Sequence, residues 1–401
     1  MIYSNDGGAS NSKHNNGEEA DSLLLQYSVL FCSSRDDGGR HSIMKMHLHR
    51  YTFHSLRALL ILAVNLLWAL PTLATTLTAE QAYQKGKILH FQDRFEDAEP
   101  YLLQAGKSGN AAAYFLIGDG VDGGSINILA AMSTKEYTFM KLAAENGHLL
   151  AMLRLVYYKS RASQSEKEHW RNKLGQVLKP HAQSGNPLAL SFLSGVALSE
   201  EDHSENFEYA VNAAYAGHPR SQYYIASEYE NGEGWFLLPG SREKEVAKLY
   251  EASARGGYRD ALIRKASTLI TDGEKEKGFE IINALLDKGD AESLITYGTL
   301  FSDIYPDSLE EWSDINTVKG ATYLKVLSIS FANNSADGMY IRMYERAKAL
   351  LTAEEILQVS QLTDEYLSNH SVYKQDGLDE FEYTVDNLHT ALERWGGNAI
   401  E

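Results

Sequence analysis

The sequence is poor in cysteine: the single one among 401 residues is Cys32. A product that starts beyond it has no disulfide, no thiol nucleophile, no cysteine-held zinc and no cysteine for lipid attachment. Positive charge is also short, with 37 Lys and Arg against 54 Asp and Glu and a formal net charge of −17. Such a surface repels phosphate backbones, so nucleic acid is not an expected partner. Long apolar runs are missing as well. The largely apolar stretch 58–70 has 13 residues, whereas a bilayer-spanning helix takes ~20. Seven prolines and 31 glycines exclude a collagen-like chain. With 44% hydrophobic and 23% charged residues, a wholly disordered chain and a polytopic membrane protein are excluded too.

Chemical motifs are equally scarce. There is no Gly-x-Gly-x-x-Gly after a strand, no phosphate loop, no His-Glu-x-x-His and no Gly-x-Ser-x-Gly. No catalytic residue, cofactor site or metal site is expected. His148 and His218 each follow a glycine at the same point of a repeated pattern, and read as helix-start residues rather than ligands.

What is present begins with a three-part N-terminal layout. Met44-Lys45-Met46 opens a basic stretch with Arg50 and Arg57, the apolar run follows, and Pro71-Thr72-Leu73-Ala74 ends in small residues. This is the pattern of a secretory signal peptide over 44–74, cut near Ala74. Residues 1–43, polar and aperiodic, then read as a non-native, disordered extension. The expected product starts near Thr75, makes no stable membrane insertion after cleavage, and is periplasmic or secreted. Residues 1–74 hold six basic and six acidic residues, so the whole negative charge belongs to the remainder.

That remainder repeats itself. Alanine-rich helical stretches end at Gly109, Gly147, Gly185, Gly217, Gly257 and Gly289, spaced 38, 38, 32, 40 and 32 residues apart, with a degenerate copy at Gly338. Glycine closes one helix in the left-handed conformation. Asn110, Asn186 or Asp290 then caps the next, and Pro187 and Pro219 suit its first position. Four residues after the six glycines stand Ala113, Ala151, Ala189, Ser221, Ala261 and Ser293. Nine after stand Gly118, Val156, Ser194, Ala226, Ala266 and Gly298, and three before stand Gly106, Ala144, Ala182, Ala214, Ala254 and Leu286. Small side chains in fixed register let antiparallel helices approach to ~8 Å. Each unit is therefore a helical hairpin whose apolar face its neighbours must cover.

The unit Ser221-Gln222-Tyr223-Tyr224-Ile225-Ala226-Ser227-Glu228-Tyr229-Glu230-Asn231-Gly232-Glu233-Gly234 resembles the Sel1-like repeat (SLR), a tetratricopeptide (TPR)-like family, in its Ala-Gln, Leu-Gly, Tyr and Gly-x-Gly columns. The resemblance covers about 105–300 well and 79–104 loosely. It departs at Trp235-Phe236-Leu237-Leu238-Pro239-Gly240, where the family has a short Val-x-Asp segment. The fold expected is all-α: a right-handed α-solenoid of about six or seven helical hairpins over 75–300, followed over 301–401 by a degenerate repeat and a helical C-terminal cap. Helices are expected over 309–332, 336–350, 352–369 and 377–395. The last carries Phe381, Val385, Leu388, Leu392 and Trp395 at helical spacing, and Thr352 with Glu355 forms a capping box for the third.

The resemblance implies a non-catalytic, exported protein–protein interaction scaffold of the bacterial envelope. The alternatives it leaves are a glycan-binding adaptor in exopolysaccharide export and a cell-wall-active enzyme. The expected partners are other proteins, with glycan as a further possibility. Twenty-one of the 24 tyrosines follow residue 74, and Tyr223, Tyr224, Tyr229, Trp235 and Phe236 cluster within one repeat. Aromatics serve recognition hot spots well because they bring large area at small entropic cost. These five are the candidate binding residues.

Overall fold

In the computed structural model, residues 77–121, 131–157, 159–302, 304, 316–331 and 338–400 are described. The expected N-terminal extension, the expected signal peptide and Cys32 lie outside the described residues. Residues Leu77–Glu401 form one unit. Seventeen α-helices occur among the described residues, and no described helix is long and apolar enough to cross a membrane.

Fourteen of the helices pair into seven hairpins. They are α1 (Ala79–Phe91) with α2 (Phe95–Lys107), α3 (Ala111–Gly120) with α4 (Thr134–Glu145), and α5 (Leu149–Val156) with α6 (Gln164–Gln183). Next come α7 (Pro187–Ser199) with α8 (His203–Tyr215), α9 (Pro219–Glu230) with α10 (Ser241–Arg255), and α11 (Arg259–Thr271) with α12 (Lys275–Leu286). The seventh is α13 (Ala291–Ser302) with α14 (Thr317–Ser330). Then α15 (Met339–Lys348) and α16 (Ala353–Asn369) pack on α14 and form the helical cap. The capping box of Thr352 and Glu355 starts α16.

Between hairpins no residue is spare. All six anchor glycines have φ between +74° and +108°. At Gly147 the glycine N–H donates to Ala144 O and the His148 N–H to Ala143 O, each at 3.0 Å, which satisfies the last carbonyls of α4. His148 is at the same time the N-cap of α5. One residue thus ends a helix and the next begins another. The variable spacing arises inside hairpins: α7–α8 and α11–α12 turn in three residues, while α9–α10 uses the ten residues 231–240.

The small columns face neighbouring helices as their register requires. A methyl group added at Gly298 would stand 3.1 Å from Leu324 of the hairpin partner α14, and one at Gly106 2.6 Å from the Tyr114 ring of the following hairpin. Ala113, Ala151 and Ala189 are fully buried. Enlarging Ala151 or Ala189 to Leu forces overpacking, which typically costs ~1–3 kcal/mol. Thermal melts of Ala151→Leu and Ala189→Leu should show lowered midpoints beside an unchanged exposed control, Lys179→Ala.

Residues 377–395 depart from expectation. Only α17 (Thr390–Trp395) and a 3₁₀ turn, Glu380–Glu382, are helical there. The rest is made of bends and turns, with 385–389 a run of turn residues, and lies against the inner ends of the hairpins. Part of the main-chain hydrogen bonding of this segment and of Asp376 goes to the solenoid. Asp376 O accepts from the Arg259 N–H at 3.2 Å, Tyr383 O from the Leu149 N–H at 3.2 Å, and the Val385 N–H donates to Gly147 O at 2.9 Å. Gly377 has φ +83° and comes so close to Gly257 O that a side chain would stand 2.4 Å from it. The apolar residues are buried, but against several hairpins and not one: Leu378, Tyr383, Leu388, Ala391 and Trp395 join a core built by the first four hairpins together with Ala254, Tyr258 and Ala261.

Adjacent tail residues also report the curvature of the array. The Lys374 N–H donates to Phe91 O of the first hairpin at 3.1 Å, and Tyr373 O accepts from the Ala291 N–H of the seventh at 3.0 Å. The solenoid curls until its first and last hairpins hold neighbouring residues of one segment.

Candidate functional site

The five aromatics separate into two groups. Tyr223 packs edge-on against Tyr250 and Tyr258, with ring centroids 5.2 and 5.3 Å apart, so it joins α9 to α10 and to the next hairpin. Tyr229 is buried and meets Phe236 edge-on at 5.1 Å. These three are structural contacts. Tyr224 and Trp235 face outward, 43% and 82% exposed, and Leu237 and Leu238 join them at 73% and 72%.

The 231–240 turn that carries Trp235 is fixed from beneath. The Arg242 guanidinium, at the start of α10, donates to Tyr229 O at 2.7 Å, to Gly234 O at 3.1 Å and to Glu233 O. It also lies 4.7 Å from the centre of the Phe236 ring. Gly232, Gly234 and Gly240 supply the three positive-φ corners. Phe236 is therefore the inward anchor, and Trp235, Leu237 and Leu238 form the outward tip. Burial, with Glu228 and Glu233 nearby, raises the Tyr224 hydroxyl above its usual range, so acid groups border the tip. A cleft of about 530 Å³ opens beside Arg242, between α10 and α11. There Arg264 stacks 4.0 Å from the Tyr250 ring and pairs with Glu230 at 2.7 Å.

The histidines singled out by the repeat register act as helix starts. His148 Nδ1 accepts the Ala151 N–H at 3.2 Å, and His218 Nδ1 meets Ser221 Oγ at 2.8 Å. Both are fully buried. Among the described residues no group of three His, Cys, Asp or Glu is placed to hold a metal ion.

Both histidines also touch the C-terminal tail. His148 Nε2 donates to Phe381 O at 2.6 Å, and His218 Nε2 lies 3.1 Å from a Glu380 carboxylate oxygen. Burial opposes ionisation of Glu380, but Arg220 and His218 outweigh it and hold that carboxyl down at about 2. The tail contacts were not foreseen from the sequence. Its signals were Gly377 and the acids at 376, 379, 380 and 382, which suit an apolar cap helix poorly.

No protein-family model and no curated protein matches the chain. Among solved structures it is similar to a protective antigen present in uropathogenic Escherichia coli strains and displaying an SLR fold, at 13% identity and TM-score 0.37, over 80% of this chain and 64% of that one. It is also similar to a Sel1 repeat protein from Oxalobacter formigenes, at 14% identity and TM-score 0.32, over 74% of this chain and 90% of that one. The chain thus spans under two thirds of the length of the first protein, at 64%. The SLR-like, all-α solenoid of this chain stands on its own geometry: hairpins in register, each junction closed by a left-handed glycine.

His148 gives this core a pH dependence. Burial lowers its pKa to about 4, below the ~6.5 of an exposed histidine. Above pH ~6.5 the imidazole is neutral in both folded and unfolded chains. As pH falls from there toward 4 the unfolded chain takes the proton first, so stability declines, by ~3 kcal/mol from this one group. Asn at 148 can still cap α5 and does not titrate. Melting points at pH 7 and pH 5 should fall further for the natural protein than for His148→Asn.

Proposed function

We propose that this protein is a non-catalytic scaffold, exported after cleavage near Ala74, whose partner proteins dock on the 231–240 turn. The observation that carries the reading is the outward apolar tip of Trp235, Leu237 and Leu238 on a turn pinned by Arg242. Three large apolar side chains held in water by a preset backbone favour association. Little conformational freedom is lost when a partner covers them. Export is supported by the basic, apolar and small-residue layout of 44–74, and by the confinement of net negative charge to the remainder.

Two measurements test this. Intact-mass analysis of the extracytoplasmic product should give a chain beginning near Thr75; a retained Met1 or Met44 in a membrane fraction speaks against export. A photo-crosslinking residue in place of Leu237 should capture a partner in cells, and the purified pair then gives a dissociation constant. A hot-spot tryptophan contributes ~2 kcal/mol or more, so Trp235→Ala should weaken that complex about 30-fold. Its circular dichroism and melting point should stay unchanged, because the side chain is exposed. Full binding by a folded Trp235→Ala protein removes the turn from the interface.

A further inference from the structure

Three capping side chains at the hairpin junctions each have two ends in use. His148, Asn186 and Asp290 stand one residue after Gly147, Gly185 and Gly289. One end of each accepts an N–H of the helix it opens: Ala151 to His148 Nδ1 at 3.2 Å, Ala189 to Asn186 Oδ1 at 3.0 Å, and Ser293 to Asp290 Oδ2 at 2.9 Å. The other end holds the main chain of the C-terminal tail. His148 Nε2 donates to Phe381 O at 2.6 Å, Asn186 Nδ2 donates to Leu388 O at 2.9 Å, and Asp290 Oδ1 accepts the Gln375 N–H at 3.1 Å. Arg259 Nη1 adds a bond to Gln375 O at 2.9 Å, and Gln222 Nε2 one to Asn398 O at 3.0 Å. These groups read backbone, as sites for extended peptides do, and the repeat places them at intervals along the inner face.

Charge adds selectivity to the backbone contacts. Lys87 of the first hairpin pairs with Glu382 at 2.6 Å and with Asp379 at 3.3 Å. Arg220 of the fifth pairs with Glu380 at 2.9 Å and with Asp376. Residues 371–400 hold six acids against two bases. The tail also makes little regular structure of its own, with one six-residue helix and two 3₁₀ turns. It sits on the solenoid as a ligand sits on a receptor.

We propose that the inner face of the solenoid is a binding site for an extended acidic peptide, that residues 371–400 are its built-in occupant, and that an acidic segment of a partner protein enters by replacing them. The proposal does not rest on docking at the 231–240 turn. A covalently linked segment acts at an effective concentration of order mM. The natural chain is therefore closed to a free peptide, and weakening the tail opens it.

The test uses the full chain with Glu380→Ala, Glu382→Ala and Trp395→Ala in the tail and the inner face untouched. The probe is a labelled synthetic peptide of the natural residues 371–400. Anisotropy titration should show the peptide binding this variant about 100-fold more tightly than the natural chain. Adding Lys87→Ala and Arg220→Ala to the variant should reverse most of that gain. A folded variant that does not bind overturns the proposal, and so does equal binding of a peptide whose acids are replaced by amides. Should the triple variant fail to fold, hydrogen exchange on the natural chain decides. Amides of Tyr373 and Val385 should exchange through an opening at least about 10-fold more frequent than that of the α5 and α7 amides. Equal protection makes the tail an inseparable part of the core and overturns the proposal.

Discussion

Everything in this architecture turns on a backbone angle. At each junction the chain reverses through a single glycine with φ near +90°, and the following residue already caps the next helix. With no linker to absorb error, the angle between successive hairpins is set by that one residue and by the small side chains around it. A side chain at these glycines is strained in the left-handed region, at about 1–2 kcal/mol each. At Gly217 and Gly289 it would in addition stand 2.3 Å from Trp395 O and 2.4 Å from Ser371 O. Gly217 and Gly289 therefore fix the solenoid locally and also leave room for the tail. The same residue type serves both needs because both require a missing Cβ.

The abutting caps have a second consequence. At His148, Asn186 and Asp290 the N-terminus of the helix that opens a hairpin is brought to the tail, with its capping side chain beside it. A helix N-terminus offers unpaired N–H groups and a partial positive charge. Four acids of the tail, Asp376, Asp379, Glu380 and Glu382, pair with Lys87 and Arg220. The overall negative charge of the protein thus conceals an inner surface able to hold carboxylates. Net charge argues against nucleic acid as a partner, but it says nothing of where the positive ends of helices converge.

How much of this was legible differs from element to element. The anchor glycines, the capping Asn110, Asn186 and Asp290, and the small columns were all readable, because each is enforced by contacts at fixed sequence distance. The left-handed turn recurs at all six anchor glycines and a side-chain N-cap bond follows four of them, so register could be checked against itself. The 377–395 segment was misread because helical spacing of Phe381, Val385, Leu388, Leu392 and Trp395 is a statement about periodicity alone. A segment whose apolar residues are buried against different hairpins in turn can show the same spacing by another cause. At the aromatic cluster the sequence marked an unusual turn. It could not separate Phe236, which plugs inward under Arg242, from Leu237 and Leu238, which face water.

The outer turn and the inner face differ in what holds them. The turn is maintained by Arg242, whose bonds run to three carbonyls within 229–234, so it is local and survives changes elsewhere. The inner face is global: Lys87 from the first hairpin, Arg220 from the fifth and Asp290 at the seventh meet only because the array curls and the tail bridges it. Fully burying a side chain the size of Leu378 or Leu388 contributes ~1.5–3 kcal/mol, and both are completely covered. Part of the cohesion between distant hairpins therefore passes through the tail and not through helix-to-helix contact. A change in the tail alters the spacing of the whole inner surface, while a change at the turn alters only the turn. The two surfaces can accordingly vary independently, one by substitution in a loop, the other by substitution in a segment that no repeat encodes.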